Sequence, residues 1–487
     1  MLMGFGYRPG VRRRTTGPSI PTAVYQVLAL QGVCVGGFIV SIACGNGTLA
    51  WAFLAGPVQV LVWFVLASSD ISLLKFLVLM TPLAAVDLLP HTYGRLALFP
   101  VTLALLIVFR IYGFLDTPWR GGARATRNEE YPIVLLAGWM AASLLHAVAR
   151  GWGSPHLYKF NILAFQIFVL GYFCASLPRK IEDLRGLVTL VALGGVVGVF
   201  LLPLVMGHSA SVGILGGKRI HTSFGLLDLN ALGTVVAGCS VALLGLLVGG
   251  ESRRRFLHVA AVILLLLVLV YTRSRGAWLG FGVAFIYLMI RGKSFRLTIA
   301  GAGAGLAVLA SDVLRKALSM RMQATSVYDP SLAGRLALWN IAWRTAKHNW
   351  LLGVGWENFR LLKPMYGFPT SVFHWTDYNA HNLYLEVLAD LGFVGLALLL
   401  VALIGVVART DQLARDRTRP GWSLALALNA ALICFAVHGL LDCLTDTFAL
   451  LGIWLGLAAS LRRLSSPREV VTDADPAIAY VSSKARA

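Results

Sequence analysis

The chain has 487 residues, 57% of them hydrophobic and only 13% charged. Soluble globular domains carry roughly twice that share of charge, so the composition excludes a water-soluble fold. The formal net charge of +20 would suggest nucleic acid in a soluble protein, but here the basic residues lie at the ends of apolar runs, where they report topology and argue for no nucleic-acid partner.

Residues 1–19 form a basic N-terminus with Arg8, Arg12, Arg13 and Arg14. No small-residue cleavage site follows a short apolar core, so the run from Ile20 to Ala43 reads as a retained first span. Candidate spans then follow near 48–68, 71–90, 95–115, 131–150, 159–176, 185–206, 229–250, 256–272, 276–291 and 295–312, making a membrane bundle of about eleven spans over 20–312. Further spans near 383–408, 421–441 and 445–461 fill the C-terminal membrane region, 383–463, and 464–487 is a polar tail. Runs such as Val259 to Val270 show no alternation, which excludes barrel strands. The predicted fold is an all-α polytopic membrane protein of about 14 transmembrane helices.

Alternating the spans from a cytoplasmic N-terminus puts Arg253–Arg255, Arg291/Lys293/Arg296 and Arg409/Arg415/Arg417/Arg419 inside, as the positive-inside rule requires. Both termini are then cytoplasmic. Lys75 and Arg110 are the Lys and Arg left inside spans. One large periplasmic loop, 313–382, carries many basic residues, and long translocated loops are exempt from the rule. Within it, 331–350 reads as an amphipathic helix, with Leu332, Leu336, Trp339, Trp343 and Trp350 as its apolar stripe and Ser331 as its N-cap. Tryptophans on one face, with Arg335, Arg344 and Lys347 elsewhere, suit a helix lying at the membrane interface.

The outer segments gather cations and histidines. Lys218-Arg219-Ile220-His221 precedes Asn230, Thr272-Arg273-Ser274-Arg275-Gly276 forms a tight turn, and Gly334-Arg335 and His381-Asn382 belong to the long loop. Arginine offers a fixed fork of donors for phosphate oxygens and keeps its charge. A lipid-linked diphosphate would place its head group at this depth, and a histidine there could take a proton from an attacking hydroxyl. Each residue also has an ordinary use. Lys218 and Arg219 can anchor a span end, Arg273 and Arg275 can end spans at a turn, Arg335 can be a solvated helix face, and His381 with Asn382 can cap a helix. His146, His258, His348 and His438 read as structural, with His221 and His374 held in reserve. The outer loops hold few carboxylates and no DxD, HExxH or Cys/His cluster with ligand spacing, so neither a metal nor a cofactor is expected. Asp442 and Asp446 form an i, i+4 pair suited to capping or hydrogen bonding. The six cysteines contain no CxxC pair and read as packing residues.

The segment from Gly334-Arg335 and Trp339, through Leu352-Gly353-Val354-Gly355 and Phe359, to Ala380-His381-Asn382, Tyr384-Leu385 and Leu391-Gly392 resembles the shared domain of O-antigen ligases and polymerases. Ser274-Arg275-Gly276-Ala277-Trp278 resembles that family's Ser-Arg-Gly turn, and Arg219 with Phe224-Gly225 and Asn230 is similar to its upstream Arg…Asn element. Asp228-Leu229 stands where the family places a Pro before the Asn. The resembling region extends over about 210–405. The resemblance implies a metal-independent, inverting glycosyltransferase of the inner membrane, acting on the periplasmic side. The donor would be an undecaprenyl-diphosphate-linked glycan in membrane lipid. The acceptor would be a glycan, lipid A-core or protein, and other polysaccharide assembly proteins are candidate partners. Residue by residue it implies Arg219 and Arg335 on the diphosphate and His381 as the base, with Arg275 matching the Ser-Arg-Gly arginine; Lys218, Arg275, Asn230 and Asn382 are the candidate substrate-binding residues. The alternative is a polysaccharide-related transporter or lipid-linked glycan flippase. Transporters show internal repeats and midplane ionisable groups; no repeat is visible here.

Overall fold

The computed structural model describes residues 70–85, 127–152, 168–206, 221–222, 225–226, 229–250, 255–272, 274–293, 330–367, 379–444 and 447–465. The spans expected at 20–43, 48–68, 95–115 and 295–312, and the residues Lys218 and Arg219, lie outside them. In chain order the helices are α1 (Asp70–Ala85), α2 (Arg127–Ala149), α3 (168–176), α4 (Ile181–Met206), α5 (Leu229–Val248), α6 (Arg255–Thr272) and α7 (Arg275–Gly292). After these come α8 (Pro330–His348), the single turn α9 (Phe359–Leu362), α10 (Leu383–Arg415), α11 (Trp422–His438) and α12 (Phe448–Ser465). A two-residue antiparallel pairing, His221–Thr222 with Gly225–Leu226, precedes α5.

Among the described residues, α5, α6, α10 and α12 are long and apolar enough to cross a bilayer, and Val134–Ala149 and α11 are shorter apolar helices. The expected segments 71–90 and 276–291 both appear as helices, α1 and α7. Helix α5 occupies the centre, buried along nearly its whole length between α11, α6, α7 and α4. Small residues allow that approach: a Cβ on Gly245 would lie 2.5 Å from the Ala427 Cα of α11, so a larger residue would push the two helices apart. Helix α6 is peripheral, and Phe256, Leu257, Ile263, Leu267 and Val270 leave one apolar face exposed, as a lipid-facing helix requires.

The bundle has two chemically different ends. At one, Arg291 of α7 and Arg415 of α10 both pair with Asp411, at 2.7 and 3.0 Å. Arg417 there donates to the Gly292 carbonyl, and Arg463 of α12 donates to the Ser176 and Pro178 carbonyls. The other end carries the segment 330–367, which packs over the start of α10.

One expectation for that segment is corrected. The helix begins at Pro330, so Ser331 falls inside its first turn and is no N-cap; proline suits the first helical position because no intrahelical partner awaits its missing N–H. The packed face of α8 is Leu338, Ile341, Ala342, Thr345 and Ala346, whereas Leu336, Trp343 and Trp350 are exposed. Trp339 leaves the exposed stripe too, since its indole donates to the Ala380 carbonyl at 2.9 Å. Periodicity located the helix, but its bulkiest side chains do not form its packed face. Helix α10 also runs past the expected 408 to Arg415, broken at Gly392 (φ 72°, ψ −175°).

Candidate active site

The break at Gly392 organises the site. Carbonyls near the broken turn need partners from elsewhere, and the loop after α8 supplies several. Val354 and Gly355 donate backbone N–H groups to the Ala389 and Asp390 carbonyls, and Phe393 donates to Trp350 O. From α2, Trp139 donates to Leu391 O, and Ser143 is within hydrogen-bond distance of Leu352 O and Asp390 O. A Cβ on Gly353 (φ 67°) would lie 2.2 Å from the Asp390 carbonyl. The Leu-Gly-Val-Gly run therefore docks backbone against backbone, which is why it needs glycine. The Asp390 carboxylate accepts from the Glu357 and Phe359 amides at 2.6 and 2.8 Å, tying α9 to α10.

The loop entering α10 is fixed with similar density. Asn382 caps the helix, accepting from the Tyr384 and Leu385 amides. Its amide N donates to Leu440 O, while the Leu383 N–H reaches Gly439 O and Asp442 O. Ala380 N–H donates to the buried Glu386 carboxylate, and Asn379 accepts from the His381 amide. His381 is held at φ 49°. The capping use of Asn382 thus holds, and the cap latches His381 onto the 439–443 turn that ends α11.

On that turn the sequence-picked residues converge. His381 Nδ1 lies 3.0 Å from Asp442 Oδ1, and Asp442 is nearly buried. The same oxygen accepts the Cys443 amide at 2.9 Å. Arg335, from α8, donates through Nη1 to Leu441 O at 3.1 Å, which leaves most of its donor fork directed elsewhere.

A second layer lies beneath. His438 Nδ1 is 3.0 Å from Thr234 Oγ1, which itself donates to Asn230 O, and His438 Nε2 is 3.4 Å from Ser274 Oγ. One proton arrangement satisfies all of these: Nδ1–H donates to Thr234, and the Ser274 hydroxyl donates to Nε2. Ser274 also caps α7 by accepting from Ala277 N. A Cβ on Gly276 would sit 2.4 Å from His438 Cδ2, so this glycine makes room for the imidazole. Trp278 closes the α6–α7 turn by donating to Leu269 O.

The structure therefore seats Arg335, His381 and Asn382 on one turn, 439–443, and connects Ser274–Gly276 and the Asn230 backbone through His438. Arg275 is exposed at the start of α7. Sequence reasoning undervalued Asp442, weighed only as a capping or hydrogen-bonding carboxylate, and it missed the buried set Glu357, Lys363, Glu386 and Asp390. Glu386 and Asp390, four apart in an otherwise apolar helix, were the available signal. His438 is buried and within hydrogen-bond distance of Thr234 and Ser274. Among the described residues no group of three or more His, Cys, Asp or Glu could hold a metal ion.

Apolar helices with one polar, loop-capped end are those of a multi-pass membrane protein. Residues 260–400 match the family model of the O-antigen ligases. The match supports a likeness of this region to the O-antigen ligase/polymerase family, which implies a ligase- or polymerase-type glycan-transfer enzyme. The matched stretch includes Ser274–Gly276, Arg335, His381 and Asn382, while Asn230 and Asp442 lie outside it. A comparison with curated proteins finds no match.

Proposed function

We propose that this protein is a metal-independent, inverting glycosyltransferase that moves glycan from undecaprenyl diphosphate to a hydroxyl acceptor on the periplasmic side of the inner membrane. The observation that carries this reading is the shared seat of His381 and Arg335 on the 439–443 turn, at the end of the bundle opposite the basic Arg291–Arg415–Arg463 end.

His381 is the base. The Asp442 carboxylate can only accept, so the proton of a neutral His381 resides on Nδ1 and the lone pair on Nε2. Nε2 takes the proton as the acceptor oxygen bonds to the anomeric carbon of the donor sugar. The sugar–phosphate C–O bond breaks in the same displacement, its electron pair leaves with the lipid diphosphate, and the anomeric configuration inverts. Arg335 meets the charge growing on the leaving diphosphate. Arg219, Lys218, Arg275, Asn230 and Asn382 complete the binding of donor and acceptor.

The test is purified protein in proteoliposomes with lipid-linked repeat units and EDTA. Elongated lipid-linked product identifies a polymerase; transfer only after adding lipid A-core identifies a ligase, and transfer only to a protein acceptor identifies a protein glycosyltransferase. Verified folded protein that is inactive on all three would overturn the reading in favour of glycan transport.

A further inference from the structure

We infer that Asp442 is the positioning residue that selects the reactive tautomer of His381, an inference that deepens the proposed reaction and rests on His381 acting as its base. A histidine on a loop can present either ring nitrogen, and only one choice gives a directed base. Asp442 removes the choice. Its Oδ1 is 3.0 Å from His381 Nδ1, and the Cys443 amide, 2.9 Å from the same oxygen, keeps the carboxylate from turning away. The backbone closes the frame, because Asp442 N–H is bonded to His438 O and Asp442 O receives Leu383 N–H. Acid and imidazole are therefore tied to each other through main chain as well as side chain, though 61 residues apart in sequence.

Among the described residues, several charged or titratable groups approach this pair. Arg335 approaches from α8, bonded to Leu441 O beside Asp442. Glu386 of α10 holds the Ala380 amide next to His381. His438 of α11 lies beneath, held by Thr234 and Ser274, and Tyr384 of α10 bonds away from the pair to Ala436 O. Asp442 is the carboxylate in hydrogen-bond contact with the ring. It favours the imidazolium that forms during the reaction, as the buried aspartate of the serine-protease triad does.

The direct test reads the tautomer. In ¹⁵N-histidine-labelled protein in lipid, with the His381 signals identified by their loss in His381→Gln, neutral His381 should carry its proton on Nδ1. In Asp442→Asn the proton should shift wholly or partly to Nε2. An Nε2–H tautomer in the wild type, or an unchanged tautomer in Asp442→Asn, overturns the inference. Kinetics supplies the second arm. Asp442→Asn should lower kcat by at least ~100-fold with little change in KM. A fall in kcat with an unchanged tautomer would make Asp442 a purely structural residue. If His381→Ala transfers glycan at the wild-type rate, the proposed reaction fails, whereas the tautomer measurement still decides the role of Asp442.

Discussion

His381 and Glu357 share the left-handed backbone region with one other described non-glycine residue, Lys293. Such a conformation costs about 1–2 kcal/mol, and at His381 it is offset by bonds from Asn379, Asn382, Glu386 and Asp442 to the residue and its neighbours. The dipeptide His381-Asn382 could be picked out in the sequence because a polar pair at the threshold of an apolar run has few uses. Asp442 could not be paired with it, because no local pattern relates residues separated by a helical hairpin. The packing of Gly276 on His438 gives a test at this scale. Gly276→Ala should lower stability by about 1–3 kcal/mol through overpacking, seen as an earlier thermal transition in detergent. A second substitution, His438→Ala, should recover part of that loss. Equal stability of Gly276→Ala and wild type would contradict the close approach.

At the scale of elements, the break in α10 and the two-faced α8 matter most. Asp390 joins α9 to α10 through two backbone bonds, so Asp390→Ala should loosen the 353–367 segment, leaving buried amides unpaired at about 1–3 kcal/mol in total. Hydrogen exchange should show faster amide exchange at Glu357 and Phe359, with α11 unaffected. Helix α8 was legible as a helix, since its residues follow a rough 3.6 period. Its tryptophan stripe suits a lipid interface; Trp343 and Trp350 are exposed, whereas Trp339 bonds to the Ala380 carbonyl, a contact that periodicity does not signal. Trp343 stacks edge-on against Phe393, 5.8 Å away, at the start of the apolar part of α10, with Lys347 over its ring. With the protein in bilayers, fluorescence of Trp343 and Trp350 should therefore be quenched by brominated lipids, and that of Trp339 much less. The reverse order would reject this placement of α8.

At the scale of the molecule, helix positions among the described residues were the most legible feature, because a bilayer-length apolar run has a single stable backbone solution. The polarity of the bundle was legible too: the segregation of arginines to one set of loop ends corresponds to the end where Arg291, Arg415, Arg417 and Arg463 are gathered. Tertiary contacts of the cap were not, since they depend on main-chain bonds that carry no side-chain signature. Single cysteines introduced at Lys347 and at Arg419 should react with a membrane-impermeant thiol reagent from opposite sides, Lys347→Cys from the periplasm. The described native cysteines, all buried, should stay unreactive. Labelling of both from one side would break the proposed topology.

The central claim is that one end of this bundle transfers glycan by a histidine-assisted, metal-free displacement. Its most direct measurement is the single-turnover rate of transfer from lipid-linked donor in EDTA, comparing wild type with His381→Ala. The wild-type rate should be indifferent to EDTA and the variant should lose about 10²–10⁴-fold, the usual contribution of a general base, with donor binding retained. A His381→Ala enzyme that transfers at the wild-type rate, or a wild type silenced by EDTA and restored by a divalent metal, would contradict it.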